Sequence, residues 1–360
     1  MKWFALSIVF LVAVQHGISL KEGEGCVIRH TDSSGLCIRG SKCMTALNDY
    51  QRNGIPPTLC SEYRFPFLVC CTGVTLEDII PVLDTRRVSE RKCDEYKQIP
   101  QTKRTVTAQA CDYDELDVAG ELATQWEFPH VVALGWGNKV DSNSFQSAGS
   151  LISSRFVLTR AYFSKLINAA PTIVRFGGLE IDVPSSKENT GSIDVQTQAI
   201  YFHPEYSFPM RYNDIALVEM KADVDFGIIR PACLWSNPDF PEYSKPIITS
   251  WPAVDPSYSE RRLLKKTPRR LLDSDTCNET LKDYFDFYWK GVADEQLCTG
   301  HVREGSSCER VNGSPLQLVS YEYTNQCIFH VLGVMVSDCS MFTRVSSHLD
   351  WIEKVVWPGE

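Results

Sequence analysis

Six of the fourteen cysteines in this chain stand close together, at Cys26, Cys37, Cys43, Cys60 and the adjacent Cys70 and Cys71. The stretch that holds them has few large apolar side chains, so it cannot bury enough surface to fold alone. It depends on three covalent staples, each contributing roughly 2–4 kcal/mol. Six cysteines allow 15 connectivities, and the sequence does not choose among them. An even total of fourteen argues for a disulfide framework built in an extracellular setting, and no zinc-like Cys/His spacing competes with it. The start of the chain agrees. Met1-Lys2-Trp3 precedes an apolar run from Phe4 to Val14, and Gly17-Ile18-Ser19 offers small residues for cleavage after Ser19. Residues 1–19 therefore read as a secretory signal, too short to span a bilayer, and no later apolar stretch has spanning length.

A length of 360 residues with 43% hydrophobic content supplies one large core and a small satellite. The net charge of −9 argues against nucleic acid as a general partner. The stapled module takes residues 20–74, and residues 75–116 turn polar, with Arg86-Arg87, Arg91-Lys92 and Lys103-Arg104 and no sustained periodicity. That stretch reads as a linker, either a plain solvated tether or a site cut by trypsin-like enzymes, Arg104 being the candidate. Beyond Asp117 short β-branched runs recur at Val131–Leu134, Phe156–Thr159, Ile173–Phe176, Ile215–Val218, Leu316–Val319 and Ile328–Val336. They predict a mainly β domain, a barrel or sandwich pair. One helix is predicted, at the end, over Ser347–Val356.

The run Cys308-Glu309-Arg310-Val311-Asn312-Gly313-Ser314-Pro315 resembles the nucleophile loop of chymotrypsin-type serine proteases, with Asn312 in the nucleophile's place. Glu127-Phe128-Pro129-His130, Gly149 to Ser153, Asn213-Asp214-Ile215-Ala216-Leu217, Arg230-Pro231-Ala232-Cys233-Leu234 and Thr343-Arg344-Val345-Ser346 are similar to landmarks of clip-domain members of that family. The first six cysteines, ending in an adjacent pair, resemble the clip domain itself. The resemblance implies a two-barrel chymotrypsin-like domain over residues 117–360 and clip bridges Cys26–Cys70, Cys37–Cys60 and Cys43–Cys71. It further implies Cys93–Cys233, Cys277–Cys298 and Cys308–Cys339, which leaves Cys111 to pair with Cys327.

The catalytic phrases depart from the family pattern. Thr159-Arg160-Ala161-Tyr162-Phe163 matches the family's Thr-Ala-Ala-His-Cys, so Tyr162 replaces the base. A phenol ordinarily ionises near pH 10 and is a poor general base at neutral pH. Asp214 keeps the third position, as a hydrogen-bonded structural carboxylate with no imidazole to orient. A carboxamide at Asn312 has no hydroxyl to activate. Arg310 replaces the glycine that permits the oxyanion-hole geometry, and Ser306 falls where trypsin-like members carry the pocket-floor aspartate. Leu116-Asp117-Val118-Ala119-Gly120 lacks the basic residue cut on activation, and Val311 replaces the aspartate that receives the new terminus. Ser147 and Phe163 replace both halves of a family disulfide, so no orphan thiol is left.

Three further features stand outside the motifs. Arg261, Arg262, Lys265, Lys266, Arg269 and Arg270 put six cations into ten residues, either a solvated strand edge or a docking patch for an acidic partner. Asn278-Glu279-Thr280 is a glycosylation sequon; Asn312-Gly313-Ser314 also matches, but the following proline argues against modification there. Ser314 has no histidine placed to activate it, and His130 and His203 read as packed or surface histidines.

The resemblance implies a secreted haemolymph protein that binds rather than cuts, regulating an extracellular protease cascade in innate immunity and melanization through prophenoloxidase activation. Its partners would be active clip proteases, prophenoloxidase or other homologues, with no small-molecule cofactor and no catalytic metal. The alternatives are a decoy that lowers cascade output and a hydrolase with relocated residues.

Overall fold

The computed structural model describes residues 20–60, 68–74, 84–100, 111–113, 116, 120–137, 145–183, 191–241, 244–252, 261–300, 312–322, 326–337 and 340–360. Residues 1–19, expected to be a secretory signal, Arg104, the cysteines Cys308 and Cys339, and Ser306, Arg310 and Val311 lie outside the described residues. The chain divides into two compact units, residues 1–85 and 86–360.

In the small unit, strands β1 (Gly25–Val27), β2 (Ser34–Arg39) and β3 (Leu68–Cys71) form an antiparallel sheet in that order, with helix α1 (Met44–Asn53) between β2 and β3. The helix stops at Gly54, whose φ of 66° suits a residue without a Cβ. Among the described residues, the small unit's buried clusters are Cys37, Cys60 and Cys70, and Ile38, Cys43, Val69 and Cys71. Bridges join Cys26 to Cys70, Cys37 to Cys60 and Cys43 to Cys71, so sulfur supplies much of the core that apolar side chains would otherwise provide.

The large unit starts with helix α2 (Val88–Lys97), inside the stretch expected to be linker. It carries no apolar period because few side chains hold it. Cys93 bridges to Cys233, the Tyr96 hydroxyl donates to the Ile152 carbonyl at 2.8 Å, and Ser89 Oγ donates to Glu353 at 2.6 Å. Strand β4 (Glu121–Leu122) leads into β5 (Val131–Gly135), β6 (Phe145–Leu151), β7 (Phe156–Thr159), helix α3 (Tyr162–Ile167), β8 (Ile173–Phe176), β9 (Ile193–Phe202) and β10 (Ala216–Met220). A closed barrel runs β10-β7-β6-β5-β8-β9. There follow β11 (Cys233–Leu234), β12 (Ile247–Ser250), β13 (Lys265–Pro268), β14 (Arg270–Leu272), helix α4 (Ser274–Leu281), β15 (Gln296–Gly300), β16 (Pro315–Glu322), β17 (Gln326–Ser337) and β18 (Met341–Arg344). These strands and β4 make a nine-stranded sheet, in the order β14-β15-β18-β17-β16-β12-β13-β4 with β11 beside β17. Helix α5 (Leu349–Val356) closes the chain and buries Leu349, Ile352 and Val356. The architecture is the two-barrel chymotrypsin-like fold. Among the described residues four helices, α1 to α4, stand beyond the one that the sequence predicts. Among them α4 is announced by Asp273, whose carboxylate accepts from the Thr276 N–H at 2.8 Å.

A buried histidine fastens one barrel to the other. His130, fully enclosed just before β5, donates from Nε2–H to the Gln317 carboxamide oxygen on β16 at 2.6 Å, and Gln317 donates onward to Thr249 Oγ1 on β12 at 2.8 Å. Burial lowers its pKa from 6.5 to about 4, and burial lowers that of His348 to about 4 as well. The unfolded chain binds these protons at higher pH than the folded one. The stabilisation is therefore complete above pH 6.5 and fades as pH falls toward 4, by roughly 1.4 kcal/mol per unit for each histidine. Urea midpoints are expected to drop across that window; a flat profile from pH 7 to 4 would refute the assignment.

Cys111 bridges to Cys327, so the segment between Cys93 and Cys111 is fixed at both ends. Trypsin acting after Arg104 is expected to give one band on a non-reducing gel and two after reduction. Release of a fragment without reductant would contradict these bridges.

Candidate functional site

Asp214 stands just before β10 with its carboxylate fully buried, and both of its oxygens are saturated. One accepts from the backbone N–H groups of Ala161 and Tyr162, at 2.7 and 2.9 Å. The other takes the guanidinium of Arg160, through Nε at 2.9 Å and Nη2 at 2.7 Å. Arg160 is itself only 7% exposed, and its guanidinium also lies 4.6 Å from the centre of the Tyr162 ring. A forked guanidinium on a carboxylate is among the strongest hydrogen-bonded pairs in proteins. Here it occupies the oxygen that no backbone donor fills, which leaves Asp214 no free lone pair with which to orient another side chain.

Tyr162 opens helix α3 and packs its ring against Phe208 at 5.4 Å. Asn312 lies in the turn before β16 and is bound through its backbone: its carbonyl accepts from the Ala148 N–H at 2.8 Å and from Ser147 Oγ at 3.0 Å. Gly313 follows with φ 83°, and a Cβ there would stand 2.4 Å from the Ala148 carbonyl, so only glycine fits. Ser314 is fully buried and donates to Ser250 Oγ at 2.6 Å, which places its hydroxyl in the second sheet's interior, out of reach of a substrate. Ser147 also lies 3.3 Å from Thr159 Oγ1, and Phe163 packs edge-on to Trp136 at 4.6 Å, so each of these two residues has its own packing partner. Asn312, Ser147, Thr159, Arg160, Asp214 and Tyr162 thus form one connected neighbourhood.

Arg160 was not singled out by sequence reasoning. Its signal was a charged residue at the end of an apolar strand, directly before the phrase that faces Asp214. The basic run is corrected by the structure. Arg262 is 5% exposed, chelated by Asp182 and donating to the Phe145 carbonyl at 3.1 Å; Arg269 is also buried. Lys266 sits 2.8 Å from Glu127, and Arg261 is 3.2 Å from Glu180. Three of the six, Arg261, Arg262 and Lys266, are thus held in local ion pairs, Lys265 is half-buried and Arg270 is exposed, so the run does not present one continuous cationic surface. Asn278 lies on α4, where its side-chain oxygen accepts from the Val292 N–H at 2.8 Å. His203 packs edge-on against Trp351 and His348.

Removing one partner of a buried ion pair costs about 3–5 kcal/mol, whereas an apolar pair of similar volume is near neutral. Arg160→Met is therefore expected to destabilise the chain by about 3–5 kcal/mol in urea, and Arg160→Met with Asp214→Leu by much less. Additive losses would show that the two side chains do not act as a pair.

Residues 117–352 match the trypsin family. Serine protease snk of Drosophila melanogaster is 26% identical over 94% of this chain and 80% of its own length. Phenoloxidase-activating factor 3 of Holotrichia diomphalia is 26% identical over 98% of this chain and 99% of its own. Among solved structures, the Drosophila Grass clip serine protease of the Toll pathway aligns with a TM-score of 0.54 at 20% identity, over 92% of this chain and 97% of that one, a likeness of fold. The chain belongs to the trypsin family, and its relatives include clip-domain serine proteases.

Proposed function

We propose that the chain is a secreted, non-catalytic clip-domain serine protease homologue that regulates an extracellular protease cascade by binding. One observation carries the reading: the carboxylate that would orient a catalytic histidine is saturated by Arg160 and two backbone donors. The motif resemblance that puts Tyr162 and Asn312 at the base and nucleophile positions supports it. Acyl transfer needs an activated nucleophile and a base oriented toward it, and this arrangement supplies neither. Full-length similarity to a phenoloxidase-activating factor supports a setting in haemolymph immunity and melanization, with active clip proteases, prophenoloxidase or other homologues as partners. The clip unit and the two-barrel unit would each make a contact, and two weak contacts on one chain give useful avidity. No helix among the described residues is long and apolar enough to cross a membrane.

The test is to add purified full-length protein to a reconstituted protease and phenoloxidase cascade, beside a peptide-hydrolysis assay. Altered cascade output without hydrolysis is expected, and its direction separates a cofactor from a decoy. Tyr162→His with Asn312→Ser is expected to remain inactive, because Arg160 still holds Asp214. Hydrolysis by the unaltered chain, or labelling by a serine-directed reagent, would overturn the reading.

A further inference from the structure

Between α4 and β15 the chain carries Tyr284, Phe285, Phe287, Tyr288 and Trp289, five aromatic residues within six positions. Trp289 turns inward, 1% exposed, and donates to the Gln296 side chain at 3.1 Å. Phe287 and Tyr284 turn outward, 74% and 62% exposed. The loop is held in this form. Asp286 accepts from the N–H groups of Tyr288 and Trp289, both at 2.8 Å, and pairs with Arg211 at 2.8 Å. The Arg211 N–H donates to the Tyr288 carbonyl at 3.2 Å, and the Tyr212 hydroxyl donates to the Gly291 carbonyl at 3.1 Å. These bonds fasten it to the 203–213 loop, which exposes Phe208.

An exposed aromatic patch marks an interaction surface, and rings already held in place lose little freedom when covered. The charge around it selects the partner. Residues 203–205 and Asn213 of the one stretch and Asp294 and Glu295 of the other, with residues 347–351 in part, line an open cleft of about 480 Å³ that includes Glu205, Asp294, Glu295 and Trp351. Among the described residues, none of these three carboxylates has a cation within ion-pair distance. Burial, with the charges of Asp294 and Glu205 nearby, pushes the Glu295 carboxyl above the usual range. On the rim, Asp350 already takes the guanidinium of Arg87, so a cation of this kind seats there.

We propose that this two-loop surface docks a lysine- or arginine-bearing segment of a protein partner, whose apolar side chains cover Phe287, Tyr284 and Phe208 while its cations enter the carboxylate cleft. The inference rests on the regulatory role above and names the surface that performs it. The full-length protein is titrated with a short alternating Arg/Leu peptide, following the change in tryptophan fluorescence that is lost in a Trp351→Phe control, and with the corresponding Glu/Leu peptide. Variants are Tyr284→Ser with Phe287→Ser, and Glu205→Gln with Glu295→Gln, their folding checked by thermal unfolding. Binding of the Arg/Leu peptide alone, weakened about tenfold or more in both variants, is expected. No binding by the unaltered chain, equal binding by the variants, equal affinity for the Glu/Leu peptide, or ring-dependent binding to phosphatidylcholine vesicles in place of peptide would overturn it. The same variants enter the cascade assay. If they act as the unaltered chain does, the surface is wrong and the regulatory role stands; if the unaltered chain has no effect but substitution-sensitive peptide binding persists, the role fails and the surface stands.

Discussion

The pairing of Arg160 with Asp214 is the interaction around which the middle of the large unit is organised. Asp214 belongs to both barrels. Its side chain holds the end of β7 and the start of α3, and its carbonyl accepts from Thr343 Oγ1 on β18 at 3.0 Å. Taking two charges out of water costs several kcal/mol per ion, and the cost is met only when every polar atom is well placed. Here the carboxylate receives four donors, and the aromatic ring of Tyr162 lies over the guanidinium. A neighbouring chain of contacts, from Thr159 through Ser147 to the Asn312 carbonyl, extends the same order to the turn before β16.

Much of this fold was legible because strands announce themselves locally. The runs at Phe156–Thr159 and Ile173–Phe176 coincide with β7 and β8, and the Ile328–Val336 run lies within β17, because β-branched residues favour a buried pleated surface. Helix α2 was hidden because a disulfide, a tyrosine hydroxyl and a glutamate hold it where an apolar stripe would otherwise be needed. The basic run misled for a related reason. Its carboxylate partners Glu127, Glu180 and Asp182 lie 80 or more residues away, and no local pattern says that Arg262 is buried. At the site, motifs single out Tyr162 and Asn312 as positions of interest, whereas the pairing of Arg160 required knowing which side chain points at Asp214.

Inside and outside follow different rules in the large unit. Polar groups at the protease-like centre are turned inward and paired: Ser314 with Ser250, Asp214 with Arg160, His130 with Gln317. The loop after α4 does the reverse, fixing an inward tryptophan so that neighbouring rings stay in water. Under the proposed role, stability and recognition therefore draw on separate residues, and changes to one need not disturb the other.

The bridges around residues 94–110 have a topological consequence. Cys93 is joined to Cys233 on β11 and Cys111 to Cys327 on β17, and these strands are neighbours. Backbone and sulfur together close a macrocycle. Hydrolysis of one peptide bond within that segment opens the ring without creating a second molecule. Such a nick would leave mass and diffusion almost unchanged and alter only the freedom of two new chain ends, so a cell could register the cut as a change of shape rather than as loss of a part.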